Sequence, residues 1–201
     1  MKPVYLVFMM VAVAIVFFGS LLVYNNTRDT KPQVPDDAAG RVVVEFSGGR
    51  ETQPEDNGHP VTLIANALDI TPQVFREAFF QFVPDAENTD TDGWKQHLPE
   101  MMKILGPHGV TEARLTEVLD YYAGTRAGGA TWPLEPAIAW ATVKDGKITG
   151  FEVTTGGAGY NSPPTVNVAG HDTSGVKAEL SGSNSLKQNG AVSGIQLGPG
   201  G

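Results

Sequence analysis

The amino-acid sequence predicts an α+β protein. An N-terminal transmembrane or signal-anchor helix leads into a small helical bundle, and a glycine-rich antiparallel β-hairpin module follows. Three observations predict this. Residues 4–24 form an unbroken, uncharged, apolar run. Between residues 60 and 124, apolar side chains recur at helical spacing behind helix-start residues. From Gly124 onward the composition changes, since 16 of the 24 glycines lie in residues 124–201 and apolar residues begin to alternate.

The apolar run is long enough, at about 1.5 Å per residue, to cross a hydrocarbon core of about 30 Å. Lys2 precedes it, as in an export signal. Phe17 and Phe18 stand where a cleavage site needs small side chains, so residues 1–24 read as an uncleaved anchor. The chain then belongs to a membrane with its bulk extracytoplasmic, in a periplasm or on a cell surface. Cleavage would make it secreted. Residues 25–40 are polar, carry Pro32 and Pro35, and read as a linker.

Residues 41–124 read as an acidic helical module with one leading strand. Val42, Val43 and Val44 make residues 41–46 a strand, ended by Ser47-Gly48-Gly49. Pro60 fits a helix start, with Val61, Ile64 and Leu68 on one face. Thr71-Pro72 is an N-cap followed by a first-turn proline, and Phe75, Ala78, Phe79 and Phe82 form the stripe behind it. Trp94, Leu98, Met101 and Leu105 form another stripe, in which Pro99 must kink or restart the helix. Thr111 caps the last helix, whose stripe is Leu115, Val118, Leu119 and Tyr122.

Residues 125–136 read as a second linker and residues 137–201 as the β module. This module holds a degenerate repeat. Asp145-Gly146 aligns with Asn189-Gly190, Gly150 with Gly194, and Val153 with Leu197. Both dipeptides are hairpin-turn signals. Gly150 and Gly194 fall where the apolar parity switches, which predicts a β-bulge at each. Residues 165–169 add a short alternating strand.

The run from Val153 through Gly156-Gly157-Ala158-Gly159-Tyr160 to Pro163-Pro164-Thr165-Val166 resembles the Gly-x-Gly-Tyr and Pro-x-Val β-repeats of large bacterial surface proteins and phage structural proteins. The helical half looks like a module of exported bacterial proteins. Together the resemblances cover roughly residues 41–201. They imply an architectural or adhesive role and bring no catalytic residues.

Composition limits the chemistry. There is no cysteine, which excludes disulfides, thiolate zinc sites and cysteine nucleophiles. The net charge of −8 argues against nucleic acid as a partner. Residues 29–124 carry 17 acidic and 7 basic side chains, whereas residues 125–201 carry 5 of each. Asn88, Asp90 and Asp92, followed by Gly93, match part of an EF-hand loop and make a degenerate calcium site. Pro99 stands where the bidentate glutamate belongs, so any binding would be weak. The plainer reading is a solvated acidic loop whose aspartates cap the next helix. His97 and Glu100 share a helix face with Pro99 between them. Gly156–Tyr160 lacks the Lys-Ser/Thr of a phosphate loop and reads as a tight turn. Among the aromatic residues, Trp140 and Phe151 read as core. Trp132 and Tyr160 are the interaction candidates, with Trp132 placed either to meet a partner or to cement the two modules.

The expectation is a non-enzymatic, membrane-anchored envelope protein presenting an interaction or assembly module. No cofactor is expected apart from weak Ca2+. Its partner would be an envelope protein or polysaccharide, and an open β edge would allow self-association. The alternatives are a calcium-modulated binding protein and a small extracytoplasmic hydrolase.

Overall fold

The alternating valines of strand β1 (Arg41–Ser47) send Val42, Val44 and Phe46 to one side, where they join the β core. β1 is described in a computed structural model that covers residues 40–83, 93–123 and 132–198. All of these fall within one unit, Asp36–Gly201. The apolar run at 4–24 and the acidic segment at 88–92 lie outside the described residues. No helix among the described residues is long and apolar enough to cross a membrane.

β1 does not stand apart with the helices. It pairs antiparallel with β2 (Ile138–Lys144) through Arg41–Thr142 and Val43–Trp140. On its other side it pairs with β4 (Thr165–Val168) through Val44–Val168 and Phe46–Val166. With β3 (Lys147–Thr155) the sheet order is β3-β2-β1-β4. The strand grouped with the helical module in the sequence is therefore an interior strand of the sheet. Sequence periodicity identifies a strand but carries no information on a partner about a hundred residues away.

β5 (Lys177–Ser181) and β6 (Ala191–Gln196) form a separate antiparallel pair. Ala178 and Val192 of this pair share one buried cluster with Val44, Ala139, Ala141 and Val166 of the larger sheet. The small alanines of β2 leave room for the second layer. The β5–β6 pair thus packs on one face of the larger sheet, and on the opposite face Val43 and Trp140 are half-buried.

The turn chemistry separates the two repeats. Asp145 (φ 52) and Gly146 (φ 76) form the left-handed pair of a two-residue hairpin turn between β2 and β3. Asn189-Gly190 makes no such turn. β5 ends at Ser181, and residues 182–190 form a longer loop closed by the Gly190 N–H donating to Ser181 O at 3.0 Å. The bulges appear at both expected positions. Thr142 and Val143 face Gly150 and Ile148, skipping Thr149, and Glu179 and Leu180 face Gly194 and Val192, skipping Ser193.

Four α-helices occur among the described residues: α1 (Val61–Leu68), α2 (Pro72–Phe80), α3 (Leu98–Leu105) and α4 (Glu112–Ala123). Thr71 Oγ1 accepts from Val74 N–H at 3.3 Å, and Thr111 Oγ1 accepts from Arg114 N–H at 3.2 Å, as their cap positions require. Trp94 lies in a 3-10 turn, Gly93–His97, rather than in α3. Pro99 has no N–H to give, so the α-helix starts at Leu98 with the proline in its first turn. Leu63, Phe75, Met101, Leu105, Leu115 and Tyr122 are fully buried in the helical core.

Candidate interaction site

The glycine-rich segment 156–160 is a crossing point of three chain segments. Glu135 and Ala158 form an antiparallel bridge with N–H to O distances of 2.9 and 3.0 Å. On the other side, Gly159 N–H donates to Asn189 O (2.8 Å) and Tyr160 N–H to Gly190 O (3.1 Å). Gly157 (φ 64) and Gly159 (φ 89) lie so close to the backbone of Glu135 and Pro133 that a Cβ at either would overlap a carbonyl oxygen. The tight turn expected here is instead a backbone junction, and the glycines permit the close approach.

Both interaction residues chosen from the sequence lie in this junction and are buried. Trp132 is 4 % exposed and packs with the helical core, while Tyr160 is 3 % exposed and packs with the β core. The Trp132 indole N–H donates to Gly159 O at 2.8 Å. Its carbonyl accepts from Arg50 Nη1 at 2.7 Å, and the Arg50 guanidinium sits 5.5 Å from its ring centroid. The Tyr160 hydroxyl accepts from Ala137 N–H at 3.0 Å. The ring surfaces of both residues are therefore occupied within the chain.

A polar loop extends from the junction. Asn161 donates from its backbone to Gly49 O and from Nδ2 to Glu51 O, both at 2.8 Å. The Ser162 hydroxyl donates to the Glu51 carboxylate, which also accepts from Gly49 N–H at 2.8 Å. The Ser162 hydroxyl above all, with nearby backbone N–H groups, holds the Glu51 carboxyl below the usual range.

Two buried polar groups were not legible as such. Asn189 is fully buried. Its Nδ2 donates to Leu63 O (2.6 Å) and to the Tyr122 hydroxyl (2.9 Å), and its Oδ1 accepts from Ser183 N–H (3.1 Å). It ties the β5–β6 loop to α1 and α4. Burial pushes the Tyr122 hydroxyl up to about 12, against the opposing pull of the Asn189 bond. Asp56, also fully buried, accepts a bidentate pair from Arg76 at 2.7 and 3.2 Å. His59 packs edge-on to Phe79 and Phe80. The sequence signals were Asn-Gly, which also marks a turn, and an arginine between apolar stripe positions, which also marks a helix surface.

The opposite face of the larger sheet carries Trp140, half-buried, at its middle. Val43 and Glu152 stand directly opposite it on the neighbouring strands. The Arg41 guanidinium lies 5.3 Å from the Trp140 ring centroid and pairs with Glu152 at 3.1 Å. Ile138, on the same face, is 39 % exposed. Trp140 reads as core in the sequence but is half-buried and belongs to neither core cluster. Ala139 and Ala141 take the inward positions, and strand alternation sends Trp140 out. Phe151, by contrast, does pack against the β core.

Asn88, Asp90 and Asp92 lie outside the described residues. Among the described residues, no three His, Asp or Glu side chains are grouped to hold a metal ion. Comparison with protein-family models, with curated proteins and with solved structures returns no match.

Proposed function

We propose that the protein is a membrane-anchored, non-enzymatic interaction module, held by residues 4–24 with residues 40–198 extracytoplasmic, and that it makes contact through the outward sheet face around Trp140. The observation that carries this reading is the contrast between two aromatic sites. Trp132 and Tyr160 are used up in joining the helical and β cores, whereas Trp140 belongs to neither core and stays half-buried on the outward sheet face beside the Arg41 guanidinium. Aromatic residues flanked by arginine and β-branched side chains are typical of contact surfaces.

The test is capture from envelope extract by the full chain and by its Trp140→Lys variant. A partner, protein or polysaccharide, held by the wild type and lost by the variant is expected. Equal capture by both would move the contact surface to the acidic helices.

A further inference from the structure

We infer that Asn57-Gly58 is a site of spontaneous deamidation in the folded protein, and that its conversion loosens residues 48–60, the segment that ties the sheet to the helices. The inference goes beyond the contact surface around Trp140 and does not depend on it.

The chain holds two Asn-Gly pairs, Asn57-Gly58 and Asn189-Gly190. A glycine after asparagine favours closure of a succinimide ring, because no Cβ shields the attacking nitrogen. The Gly58 nitrogen gives its proton to solvent base and bonds to the Asn57 side-chain carbonyl carbon, and the amide nitrogen leaves as ammonia. Water then opens the ring at either carbonyl, giving aspartate or isoaspartate. No reactant besides water is consumed. The fold treats the two pairs differently. Asn189 is fully buried and its amide makes three hydrogen bonds. The nitrogen that would attack it, Gly190 N–H, donates to Ser181 O at 3.0 Å. Asn57 and Gly58 are both exposed.

Asn57 (φ 47, ψ 39) and Gly58 (φ 75) are the left-handed pair of a type I′ turn, closed by His59 N–H donating to Asp56 O at 2.8 Å. At that ψ the Asn57 Cβ stands nearly opposite the Gly58 nitrogen across the Cα–C bond, and the ring cannot close. Flipping the peptide plane between the two residues turns type I′ into type II′ while the turn ends stay in place. The type II′ value of ψ at Asn57, about −120°, brings Cβ and the Gly58 nitrogen to the same side. At Asn189 the same flip would break the Gly190 bond, and ring closure would also pull the side chain from α1 and α4. The exposed turn ends a segment fixed to both halves of the molecule. Arg50 donates to Trp132 O at 2.7 Å, Glu51 O accepts from Asn161 Nδ2 at 2.8 Å, and Asp56 accepts from Arg76 of α2 at 2.7 Å. Isoaspartate adds a methylene to the backbone inside the turn. The added length works against the closing bond and against the seating of Asp56 on Arg76.

The full chain is held at mildly alkaline pH and digested with trypsin at intervals. Cuts after Arg50, Arg76 and Lys187 release residues 51–76 and 188–201 as separate peptides, and fragmentation places each change at its asparagine. Conversion at Asn57 should outpace conversion at Asn189 roughly tenfold or more, the difference between flipping one exposed peptide plane and releasing a buried loop. Isoaspartate-specific enzymatic methylation should label residues 51–76. Asn57 still intact when a synthetic peptide of residues 51–63 has converted would overturn the inference, as would equal rates at Asn57 and Asn189. For the consequence, wild type and Asn57→Gly are aged side by side, since glycine keeps the left-handed turn and removes the amide. Wild type should unfold at a lower urea concentration after conversion than before, and Asn57→Gly at an unchanged one. A converted wild type with the midpoint of the fresh protein would overturn the loosening.

Discussion

At Gly157 and Gly159 the backbone passes so close to residues 133–136 that the side chain itself is the obstacle. Gly159→Ala combines a left-handed conformation with overlap against a backbone oxygen that cannot retreat. It should cost about 3–5 kcal/mol, read as a lower urea midpoint with unchanged slope. Gly109→Ala, at similar φ but with open space around it, should cost only the conformational share, about 1–2 kcal/mol. Tyr122 gives a pH signature. Its folded-state value is raised to about 12 from an ordinary 10. The contribution to stability is therefore complete below pH 10 and is lost as pH rises from 10 to 12, by roughly 2–3 kcal/mol. Urea midpoints at pH 9 and 11.5 should show that fall in the wild type and a smaller one in Tyr122→Phe. Residue identities at this scale were partly legible. The buried helical stripe from Leu115 to Tyr122 follows from spacing alone. The burial of Asn189 does not, because Asn-Gly signals a turn as strongly as it permits a buried bridge.

At the scale of elements, two side chains join segments that sequence keeps apart. Asp56 has no exposed surface, and its charge is met by Arg76 of α2. Arg76→Ala should cost about 3–5 kcal/mol, because an unpaired carboxylate would remain buried. Asn189→Ala should cost about 2–4 kcal/mol by stranding Ser183 N–H and removing the donor to the buried Tyr122 hydroxyl. It should also release the amides of residues 182–190 to fast hydrogen exchange while those of β2 and β3 stay protected. Caps and stops were the most legible features here. Thr71, Thr111, Pro99 and Asp145-Gly146 act through short-range sterics and hydrogen bonds that any copy of the motif would make. Both bulges were legible for the same reason, since a parity switch along one strand is a local fact. The β5–β6 loop was not, because its course is decided by a contact with α1 and α4.

For the whole molecule, the consequential pairing is that of β1 with β2 and β4. A division into residues 41–124 and 137–201 would leave the sheet without its interior strand. Residues 137–198 alone should give a poorly dispersed amide spectrum, and residues 40–198 a dispersed one. The α+β class was legible from periodicity, but the interlocking of the two halves was not, because long-range pairing leaves no trace in local pattern. The same holds for the contact surface. Alternation places Trp140 opposite Ala139 and Ala141 in facing direction, yet only the sheet order decides which direction is covered. Photo-crosslinking of the full chain in intact cells tests the Trp140 contact surface most directly, with a photoreactive phenylalanine at Thr142 on the outward sheet face or at Lys103 on α3. Discrete adducts are expected from Thr142 and none from Lys103. Adducts from Lys103 alone would place the contact on the helices and contradict this expectation.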